Sequence, residues 1–394
     1  MRSLLIPADI RFPLERANGV QIVKTAAALA RRGLETTLAL RDSDPRATVE
    51  ILRLFGIEPP PKLAVRRLAV RHRQGSFVVP RLSFLVRASL LSFRHLHRGG
   101  LVFTRDLQLA DLLLSLQPRR VVYEAHAVES LMYLERGALY GTQEKASPRK
   151  AARIAGREGR VWRRAAGFVA TTAGIRDSFE ERHGGRERVR VVPNGCEVPA
   201  ARAFPGLSRE QPTRVLYAGQ LYPWKGVDIL VEAMAQVAET RLVILGGLPG
   251  EADLVRIRAL VERLGLGPRT EMLGTVPQVR VAEELSRAGV VAVPFLKTAM
   301  SERHTSPLKA FEAMAAGRPL VASDLPASRE ILRDGENALL VPPGEAPALA
   351  AALRRLLGEP ALAERLARAA WDEAPRYSWD ARALALAGLF EELS

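Results

Sequence analysis

The sequence predicts an α/β fold of two doubly wound, Rossmann-like domains, each a parallel sheet with helices on both faces. Short strand-like runs rich in Val and Leu alternate with longer runs of helical period, a pattern typical of parallel sheets. The alternation breaks at residues 197–213, which are rich in Pro, Gly and charge, and then starts again. The length of 394 residues also favours two domains. We therefore expect a first domain over residues 1–196 and a second over residues 197–377.

The predicted strands are short apolar runs that end at turns. In the first domain they are SLLIPA, ETTLAL, GLVFTRD, RRVVYEAH, GFVATT and VRVVPNG, with the helix QIVKTAAALARRG ending at Gly33. In the second domain they are RVLYAGQL, RLVILGG, TEMLGTV, GVVAVPF, RPLVASD and ALLVPPG, separated by helices such as DILVEAMAQVAE. The tail SWDARALALAGLFEELS predicts a final helix over residues 378–394, with Ser378 as its N-cap.

The composition is that of a folded protein with anionic partners. Hydrophobic residues make up 47% of the chain and charged residues 26%, enough to build two cores. The net charge of +15 favours a sugar nucleotide, a lipid head group or a nucleic acid as partner, although a GC-rich genome or adaptation to heat would also enrich Arg. The single cysteine, Cys196, excludes an internal disulfide and favours the interior of a cell. The N-terminal apolar run is too short for a secretory signal, and no run approaches the roughly 18 apolar residues of a membrane span.

Residues 62–98 are strongly basic, and PRLSFLVRASLLSFRHLHR predicts an amphipathic helix. At about 100° per residue, one face of this helix gathers arginines and another gathers apolar residues; the first set is Arg87, Arg94 and Arg98, and the second is Leu82, Val86, Leu90 and Phe93. Such a helix can lie on an anionic membrane surface. Alternatively, it packs its apolar face on the domain and solvates its arginines.

The stretch SERHTSPLKAFEAMAAGRPLVASDLP, residues 301–326, predicts a helix from Lys309 to Ala316 that ends at Gly317 and leads into a strand. The free N–H groups and the positive dipole end of such a helix suit a phosphate. Lys309 would add positive charge there, and Glu312, one turn later, could accept hydrogen bonds from sugar hydroxyls. The alternative is an ordinary helix-to-strand connection with a glycine cap.

Ligands of open α/β sheets bind beyond the carboxyl ends of the strands, so residues that follow the predicted strands are candidates. In the first domain, Gly19 at a helix start would let a phosphate approach the backbone. His126, after YEA, could bond a sugar hydroxyl or shuttle a proton. The Asn-Gly pair at 194–195 predicts a turn at the domain boundary and a hinge there.

In the second domain, Lys225 precedes Gly226 and a helix start, a second place where a cation and a helix end could face a phosphate. Gly246 lies in a tight strand-to-helix turn that permits close backbone approach. Val276 falls where a backbone group could meet a nucleobase.

The second half resembles the C-terminal domain of a GT-B glycosyltransferase of the large family 4 group of retaining enzymes. The matching phrases are YAGQLYPWKGVDILVEA, LGG, LGTVP, AVPF, SPLKAFEAMAAGRPLVASDLPASREIL and YSWDARA, which lie in the expected order over most of residues 212–382. The first half resembles the family more weakly, through NGVQIVKTAAALARRG, TRD, YEAH and VPNG. The resemblance implies two domains facing a cleft, and we expect the last helix to pack back on the first domain.

The resemblance also implies roles for individual residues. Glu312 would bind the ribose hydroxyls of the donor nucleotide, and Lys225 its pyrophosphate. Gly19 would close over the donor, and His126 would lie near the donor sugar. The backbone amides of the loop that carries SPL would meet the phosphates or the sugar; its residues are Ser306, Pro307 and Leu308.

Two positions depart from the family pattern. Gln220 stands where the family usually has an arginine, and His304 where it usually has a glutamate. Both changes affect how the pyrophosphate charge is balanced and how the donor sugar is held. Arg303 and Lys309 could supply the missing positive charge.

We therefore expect a retaining glycosyltransferase that moves a sugar from a UDP- or GDP-linked donor to a glycan or lipid-linked acceptor. His126, Glu312 and Lys225 are the expected catalytic residues. Because no Asp-x-Asp motif follows a predicted strand (Asp42 and Asp44 sit in a polar turn), we expect no metal and no cofactor besides the co-substrate. We expect a cytoplasmic protein, peripheral on the inner face of the membrane, and do not expect nucleic acid as its ligand. The alternatives are a sugar-nucleotide epimerase or hydrolase of the same fold, and a basic nucleic-acid- or membrane-binding protein with a degenerate donor site.

Overall fold

The computed structural model describes residues 3–11, 17–42, 46, 48–70, 80–115, 118–199, 202–207, 213–248 and 250–393. Their contacts divide into two units. The first unit comprises the described residues of Met1–Ser130, Pro148–Pro193 and Trp379–Ser394, and the second those of Leu131–Ser147 and Asn194–Ser378. The chain thus enters the second unit twice, and the sequence analysis did not separate residues 131–147 from the first domain.

The first unit contains a parallel sheet whose described strands follow the order β3-β2-β1-β4-β5-β6-β7. Leu4 of β1 pairs with Thr36 of β2 on one side and with Leu101 of β4 on the other, so the order reverses between β1 and β4. The strands are β1 (Leu4–Arg11), β2 (Thr36–Asp42), β3 (Leu63–Ala69), β4 (Leu101–Thr104), β5 (Val121–Ala125), β6 (Gly167–Ala170) and β7 (Val189–Val191).

The edge strand β3 was not predicted, because its sequence LAVRRLA lies within the basic segment. Its burial alternates along the strand, as expected where one face of an edge strand meets solvent. By contrast, β4, β5 and β6 are buried at every position, which shows that both faces of the sheet are covered. Asp42, which was predicted to lie in a polar turn, is instead the last residue of β2 and pairs with Arg67 at 2.7 Å. Asp44 lies outside the described residues.

Eight α-helices alternate with these strands among the described residues up to Pro193. α5 begins in the first unit and ends in the second, and α6 belongs to the second unit. The helices are α1 (Ala17–Arg31), α2 (Thr48–Leu54), α3 (Pro80–His97), α4 (Leu107–Leu114), α5 (Glu129–Leu134), α6 (Arg136–Tyr140), α7 (Pro148–Arg164) and α8 (Ala173–His183).

The basic segment does form the predicted amphipathic helix, α3, as far as it is described; residues 71–79 lie outside the described residues. However, the face that α3 packs on the unit is not the predicted apolar one. The packed face comprises Phe84, Ala88, Ser92 and Leu96. The predicted apolar face is exposed and is here called the apolar stripe: Leu82 at 57%, Val86 at 52%, Leu90 at 54% and Phe93 at 37% exposure.

The second unit contains a parallel sheet with the described strand order β10-β9-β8-β11-β12-β13, which reverses between β8 and β11. Along β8, Val215 and Tyr217 enter one core, whereas Leu216 and Ala218 enter the other. Both faces are therefore covered, and the predicted doubly wound α/β class is confirmed for both units. The strands are β8 (Arg214–Ala218), β9 (Arg241–Leu245), β10 (Thr270–Gly274), β11 (Val290–Val293), β12 (Leu320–Ser323) and β13 (Leu339–Val341).

Helix α13 of the second unit begins one residue earlier than predicted. Shortly after its end comes Gly317, whose φ of +63° is in the left-handed region. Short 3-10 turns span Pro118–Arg120, Pro223–Lys225, Gly267–Arg269 and Ala374–Tyr377. The helices are α9 (Val227–Met234), α10 (Ala252–Arg263), α11 (Gln278–Arg287), α12 (Ala299–Arg303), α13 (Leu308–Ala315), α14 (Pro326–Arg329), α15 (Ala346–Gly358) and α16 (Pro360–Glu373).

The closing helix α17 (Trp379–Glu392) belongs to the first unit, where it packs along α1. Its buried side chains include Trp379, Leu386 and Phe390, and the ring of Phe390 meets Phe103 of β4 at 5.4 Å. Among all described helices, none is long and apolar enough to cross a membrane.

Candidate functional site

In the second unit, the loops after β8 and β11 lie side by side where the strand order reverses. The first loop carries Lys225 in its 3-10 turn, and the second carries Phe295. The N–H of Leu296 donates to the carbonyl oxygen of Trp224 at 2.9 Å, which joins the loops. Ligands of open α/β sheets bind beside such a reversal. The structure therefore places Lys225 at the expected ligand edge of this unit.

Lys225 is a half-buried cation that forms no ion pair with the part of the chain that the structure describes. Its ammonium lies 3.7 Å from the ring centre of Trp224 and 4.3 Å from that of Phe295. The ring faces attract the cation, but burial lowers the pKa of Lys225 to about 7. An anion beside the ammonium would stabilise its charged form. Lys225 is thus suited to hold a phosphate group.

Two glycines hold this edge together through contacts that leave no room for a side chain. At Gly226 φ is +65°, and a Cβ would lie 1.9 Å from the carbonyl oxygen of Pro294. At Gly246 φ is +129°, and a Cβ would lie 1.7 Å from the carbonyl oxygen of Gly219. The close approach predicted at Gly246 is therefore made by the protein's own loop.

Gln220 and Val276 lie on neighbouring loops of the same edge. The backbone carbonyl of Gln220 accepts a hydrogen bond from the Tyr217 hydroxyl at 2.5 Å. The side-chain Oε1 of Gln220 is buried and has no hydrogen-bond partner among the described residues. Val276 is partly buried against the core beneath α11 and α13. Gln220 thus brings a neutral acceptor, and no positive charge, to the place where an arginine was expected.

The loop before α13 is held by Asn194 of the Asn-Gly pair, for which the sequence predicted a turn and a hinge; the structure shows irregular backbone and no turn at residues 194–195. The N–H of Asn194 donates to Ser306 Oγ at 3.0 Å, and its side-chain Nδ2 donates to the Ser306 carbonyl oxygen at 2.8 Å. The first N–H of α13 to enter the helix ladder is that of Ala310, which donates to Pro307. The N–H groups of Leu308 and Lys309 precede it and point out of the helix start. Asn194 therefore holds in place a helix start whose free N–H groups could receive an anion.

The sequence predicted separate roles for Lys309 and Glu312, but in the structure the two side chains form an ion pair. Lys309 Nζ lies 2.5 Å from Glu312 Oε2, and both side chains are largely buried, at 22% and 17% exposure. The residues are one helical turn apart, which brings their charges together. The pair is neutral overall, so Lys309 does not replace the missing arginine. Glu312 Oε1 remains to accept a hydrogen bond.

His304 caps α12 and is 3% exposed. Burial and the neighbouring charge of Arg303 lower the pKa of His304 to about 4. The imidazole is therefore neutral at neutral pH and brings neither the negative charge of the expected glutamate nor a positive one. Arg303, half-buried at the end of α12, is the charged side chain next to it.

In the first unit, His126 follows β5 and is part of a buried polar cluster that we call the Glu124 network. His126 Nε2 lies 3.0 Å from Glu124 Oε2, which also accepts a hydrogen bond from Gln21 Nε2 at 3.1 Å. Arg382 of α17 donates to Glu124 Oε1. Arg105 donates to Gln21 Oε1 at 3.2 Å. Burial, and secondarily the charge of Arg105, lower the pKa of His126 to about 4, so the ring is neutral at neutral pH.

Gly19 lies in the first turn of α1 and not before it, because the helix begins at Ala17. Its N–H donates to Asn18 Oδ1 at 2.9 Å. The backbone at Gly19 is buried. A phosphate or sugar of the nucleotide-sugar donor would therefore have to displace the Asn18 side chain to reach this N–H.

A cavity of about 350 Å³ opens beside the β1–β4 reversal of the first unit. Arg81 crosses it and contacts Asp9 at 2.8 Å and Asp106 at 2.5 Å. Glu129 lines the same cavity; burial, followed by the charge of Glu158, raises its pKa to about 7. The remaining charged lining residues are Arg105, Lys150 and Arg157. The cavity therefore offers both hydrogen-bond donors and acceptors to a polar ligand.

Sequence reasoning missed most of this cavity and the Glu124 network. The phrase TRD, which contains Arg105 and Asp106, was noted only as part of the resemblance. Arg382 lies 258 residues from Glu124 along the chain, and local spacing carries no signal for such a pair. Glu124 itself could have been singled out, since a carboxylate inside an otherwise apolar strand needs a partner.

Comparison with known proteins finds two families along the chain. Residues 18–195 match the family described as glycosyl transferase 4-like domain. Residues 212–359 match the family described as glycosyl transferases group 1.

Among curated proteins, the chain is similar to the D-inositol 3-phosphate glycosyltransferase of Acidothermus cellulolyticus, with 34% identity over 225 residues that cover 52% of this chain and 48% of that protein. It is similar to the phosphatidyl-myo-inositol mannosyltransferase of Mycobacterium leprae, with 34% identity over 211 residues, 52% of this chain and 53% of that protein. The chain spans about half the length of the curated relatives it matches.

Among solved structures, the chain is similar to sucrose-phosphate synthase from Thermosynechococcus elongatus, with a TM-score of 0.76 and 22% identity, covering 100% of this chain and 99% of that one. It is also similar to Anabaena HepE in complex with UDP and glucose, with a TM-score of 0.74 and 19% identity, covering 99% of this chain and 100% of that one. At these identities the likeness establishes a shared fold.

Proposed function

Because the chain belongs to the group 1 glycosyl transferases of GT-B fold, we propose that it transfers a sugar from a nucleotide-sugar donor to a hydroxyl-bearing acceptor. The observation that carries the proposal is Lys225, a half-buried ammonium at the β8–β11 reversal that has no carboxylate partner among the described residues. A diphosphate beside it would supply the missing countercharge. HepE, solved with UDP and glucose, supports UDP as the nucleotide, and GDP is the second candidate.

In this proposal Lys225 and the start of α13 bind the donor diphosphate, and Glu312 Oε1 accepts a hydrogen bond from a ribose hydroxyl. As the bond to the sugar breaks, negative charge grows on the leaving diphosphate. A fixed cation and helix N–H groups stabilise that charge without reorganisation. We propose that these groups suffice without a metal ion, and that the configuration of the transferred sugar is retained. His126 accepts a hydrogen bond from a sugar hydroxyl.

The first test is a panel of UDP-, GDP-, ADP- and CMP-sugars in thermal shift, since a bound ligand raises the melting temperature by mass action. We expect one nucleotide class to stabilise the wild type. In Glu312→Ala its dissociation constant should rise about tenfold to a hundredfold, as for a lost hydrogen bond to a charged group. The matched control is Glu302→Ala, which removes a carboxylate on α12 that pairs with Lys297 at 3.2 Å.

Unchanged affinity in Glu312→Ala would show that the donor site is assigned wrongly. If no nucleotide sugar shifts the melting curve, the transferase proposal fails and a basic binding protein becomes the better account. Conversion of the donor to another sugar nucleotide without acceptor would instead indicate an epimerase, and release of free sugar a hydrolase.

We place the acceptor in the cavity of the first unit. Its arginines can donate to phosphate or hydroxyl oxygens, and its carboxylates can accept from hydroxyls. Two curated relatives are named for inositol-based acceptors, which supports a hydroxyl-rich acceptor that also carries phosphate. A glycan or a lipid-linked sugar has this chemistry.

We further propose that α3 docks the protein on the cytoplasmic face of an anionic membrane. The apolar stripe spans about 80° of the helix, and the exposed Arg87, Arg94 and Arg98 follow within about 80° on one side of it. An exposed apolar stripe beside basic residues is typical of helices that lie in a lipid interface. The net charge of +15 adds a general attraction to acidic lipids.

Sedimentation with vesicles tests this proposal. We expect binding to phosphatidylglycerol vesicles that weakens with salt, and weaker binding to phosphatidylcholine. Leu82→Ser/Leu90→Ser should reduce binding at least about tenfold, because it removes apolar surface from the contact. The control Val255→Ser/Leu384→Ser removes side chains that are 64% and 56% exposed on other helices and should bind like the wild type. Equal binding of both double variants would rule out α3 as the docking face.

A further inference from the structure

The side chains of Glu124, in β5, and of His126, which directly follows that strand, contact each other. Glu124 is 1% exposed. Its two oxygens are divided between partners: Oε1 accepts from Arg382, and Oε2 faces His126 Nε2 at 3.0 Å. The carboxylate thus links the closing helix α17 to the histidine.

Arg382 is held on several sides and cannot turn away from Glu124. It is 4% exposed. Its Nε donates to Thr25 Oγ1 at 3.0 Å, and its Nη1 donates to the carbonyl oxygens of Val192 and Pro193, both at 2.7 Å. The Nη2 is then directed at Glu124. Such a fork of fixed donors sets the position of the carboxylate.

The charges of the network determine where the proton of His126 lies. Burial alone would raise the pKa of Glu124, but the charge of Arg382 and the contact with His126 outweigh it and hold that pKa well below its usual range. Glu124 can therefore only accept, so His126 Nε2 must carry the hydrogen. Burial and the charges of Arg105 and Arg382 lower the pKa of His126 and outweigh the opposing charge of Glu124. The ring is therefore neutral at neutral pH, and Nδ1 keeps its lone pair.

His126 Nδ1 makes no hydrogen bond with any residue that the structure describes, and the side chain is 19% exposed. We propose that Arg382 is a positioning residue that acts through Glu124 to fix His126 with Nε2–H, so that Nδ1 accepts a hydrogen bond from a sugar hydroxyl. The sugar ligand rests on the function proposed above; the tautomer does not. A carboxylate that orients an imidazole in this way selects the nitrogen that is free to act.

The test is ¹⁵N NMR of histidine-labelled protein at pH 7.5, with His126→Ala to assign the signals. We expect wild-type His126 to be neutral with the hydrogen on Nε2. In Glu124→Gln the amide can donate to Nε2, so the hydrogen should move in part or fully to Nδ1. In Arg382→Met the carboxylate loses its countercharge, takes up a proton and donates to Nε2, with the same result. The control Arg31→Met removes an exposed contact between α1 and α17, Arg31 to Asp380 at 3.2 Å, and should keep the wild-type tautomer.

If Arg382→Met does not fold, Glu124→Gln and the double variant Glu124→Gln/Arg382→Met carry the test, because neither leaves a buried carboxylate unpaired. Release of UDP from UDP-glucose should fall about tenfold to a hundredfold in the variants whose tautomer changes and stay unchanged in Arg31→Met. An unchanged His126 tautomer in both Glu124→Gln and Arg382→Met overturns the proposal, even if UDP release falls. A changed tautomer with full UDP release overturns the role of Nδ1. If the wild type acts on no nucleotide sugar, the proposed function fails while the NMR result still decides whether Arg382 sets the tautomer.

Discussion

Lys225→Met is expected to slow sugar transfer about a hundredfold to a thousandfold, the effect of removing one fixed group that stabilises charge in the transition state. Met keeps most of the length and the apolar contacts of the side chain with Trp224 and Phe295 but removes the ammonium. The Lys225 ammonium, which forms no ion pair with the described residues, is the group that the donor diphosphate would meet. Steady-state UDP release measures the effect.

The same residue predicts how donor binding depends on pH. Because the pKa of Lys225 is lowered to about 7 by burial, the free protein loses this charge as pH rises above 7. The diphosphate binds the charged form better, so the dissociation constant of UDP-glucose should rise about tenfold per pH unit above that point. Lys225→Met should bind weakly with no such rise. The control is Lys297→Met, since this lysine is 66% exposed and pairs with Glu302; its profile should match the wild type. A wild-type profile that is flat from pH 6 to 9 would contradict the proposed contact.

Arg382→Met is expected to destabilise the first unit by about 3–5 kcal/mol, because removing one partner of a buried pair leaves the other charge without compensation. Arg382 and Glu124 are each 2% exposed at the side chain. Arg31→Met, which breaks an exposed pair between α1 and the same helix α17, should cost less than about 1 kcal/mol. Hydrogen exchange of the β5 amides measures the stability of this unit separately from the second one.

The pKa of Glu124 determines how the stability contributed by the Arg382–Glu124 pair changes with pH. Its pKa is lowered in the folded protein, so the pair stabilises the fold above the unfolded pKa of roughly 4.3 and loses that contribution as pH falls further. The difference between wild type and Arg382→Met should therefore shrink below about pH 4. Equal losses in Arg382→Met and Arg31→Met at neutral pH would show that the buried pair does not hold α17 in place.

The fold class was predictable because each strand and helix carries its own period. Runs such as VVYEA and LVIL are buried at every position in the structure, as continuous apolar strands of a parallel sheet should be. The edge strand β3 was not predicted, because an edge strand needs few apolar residues and because the arginines of β3 lie in the basic segment 62–98, in which a helix was predicted. For α3 the period gave the helix with its apolar and basic faces, but the face that packs on the unit is a third one, formed by Phe84, Ala88, Ser92 and Leu96.

The sequence by itself determined the two doubly wound sheets and the positions of Lys225, His126 and Glu312 after strands or at a helix start, because these follow from local period and chain order. Only the tertiary structure decided which residues that are distant in the sequence contact each other. It tied Asn194 to Ser306 and joined Arg382 to Glu124 across 258 residues. Such contacts depend on how distant elements pack and on which charges are buried together, and neither is encoded in the spacing of residues along the chain.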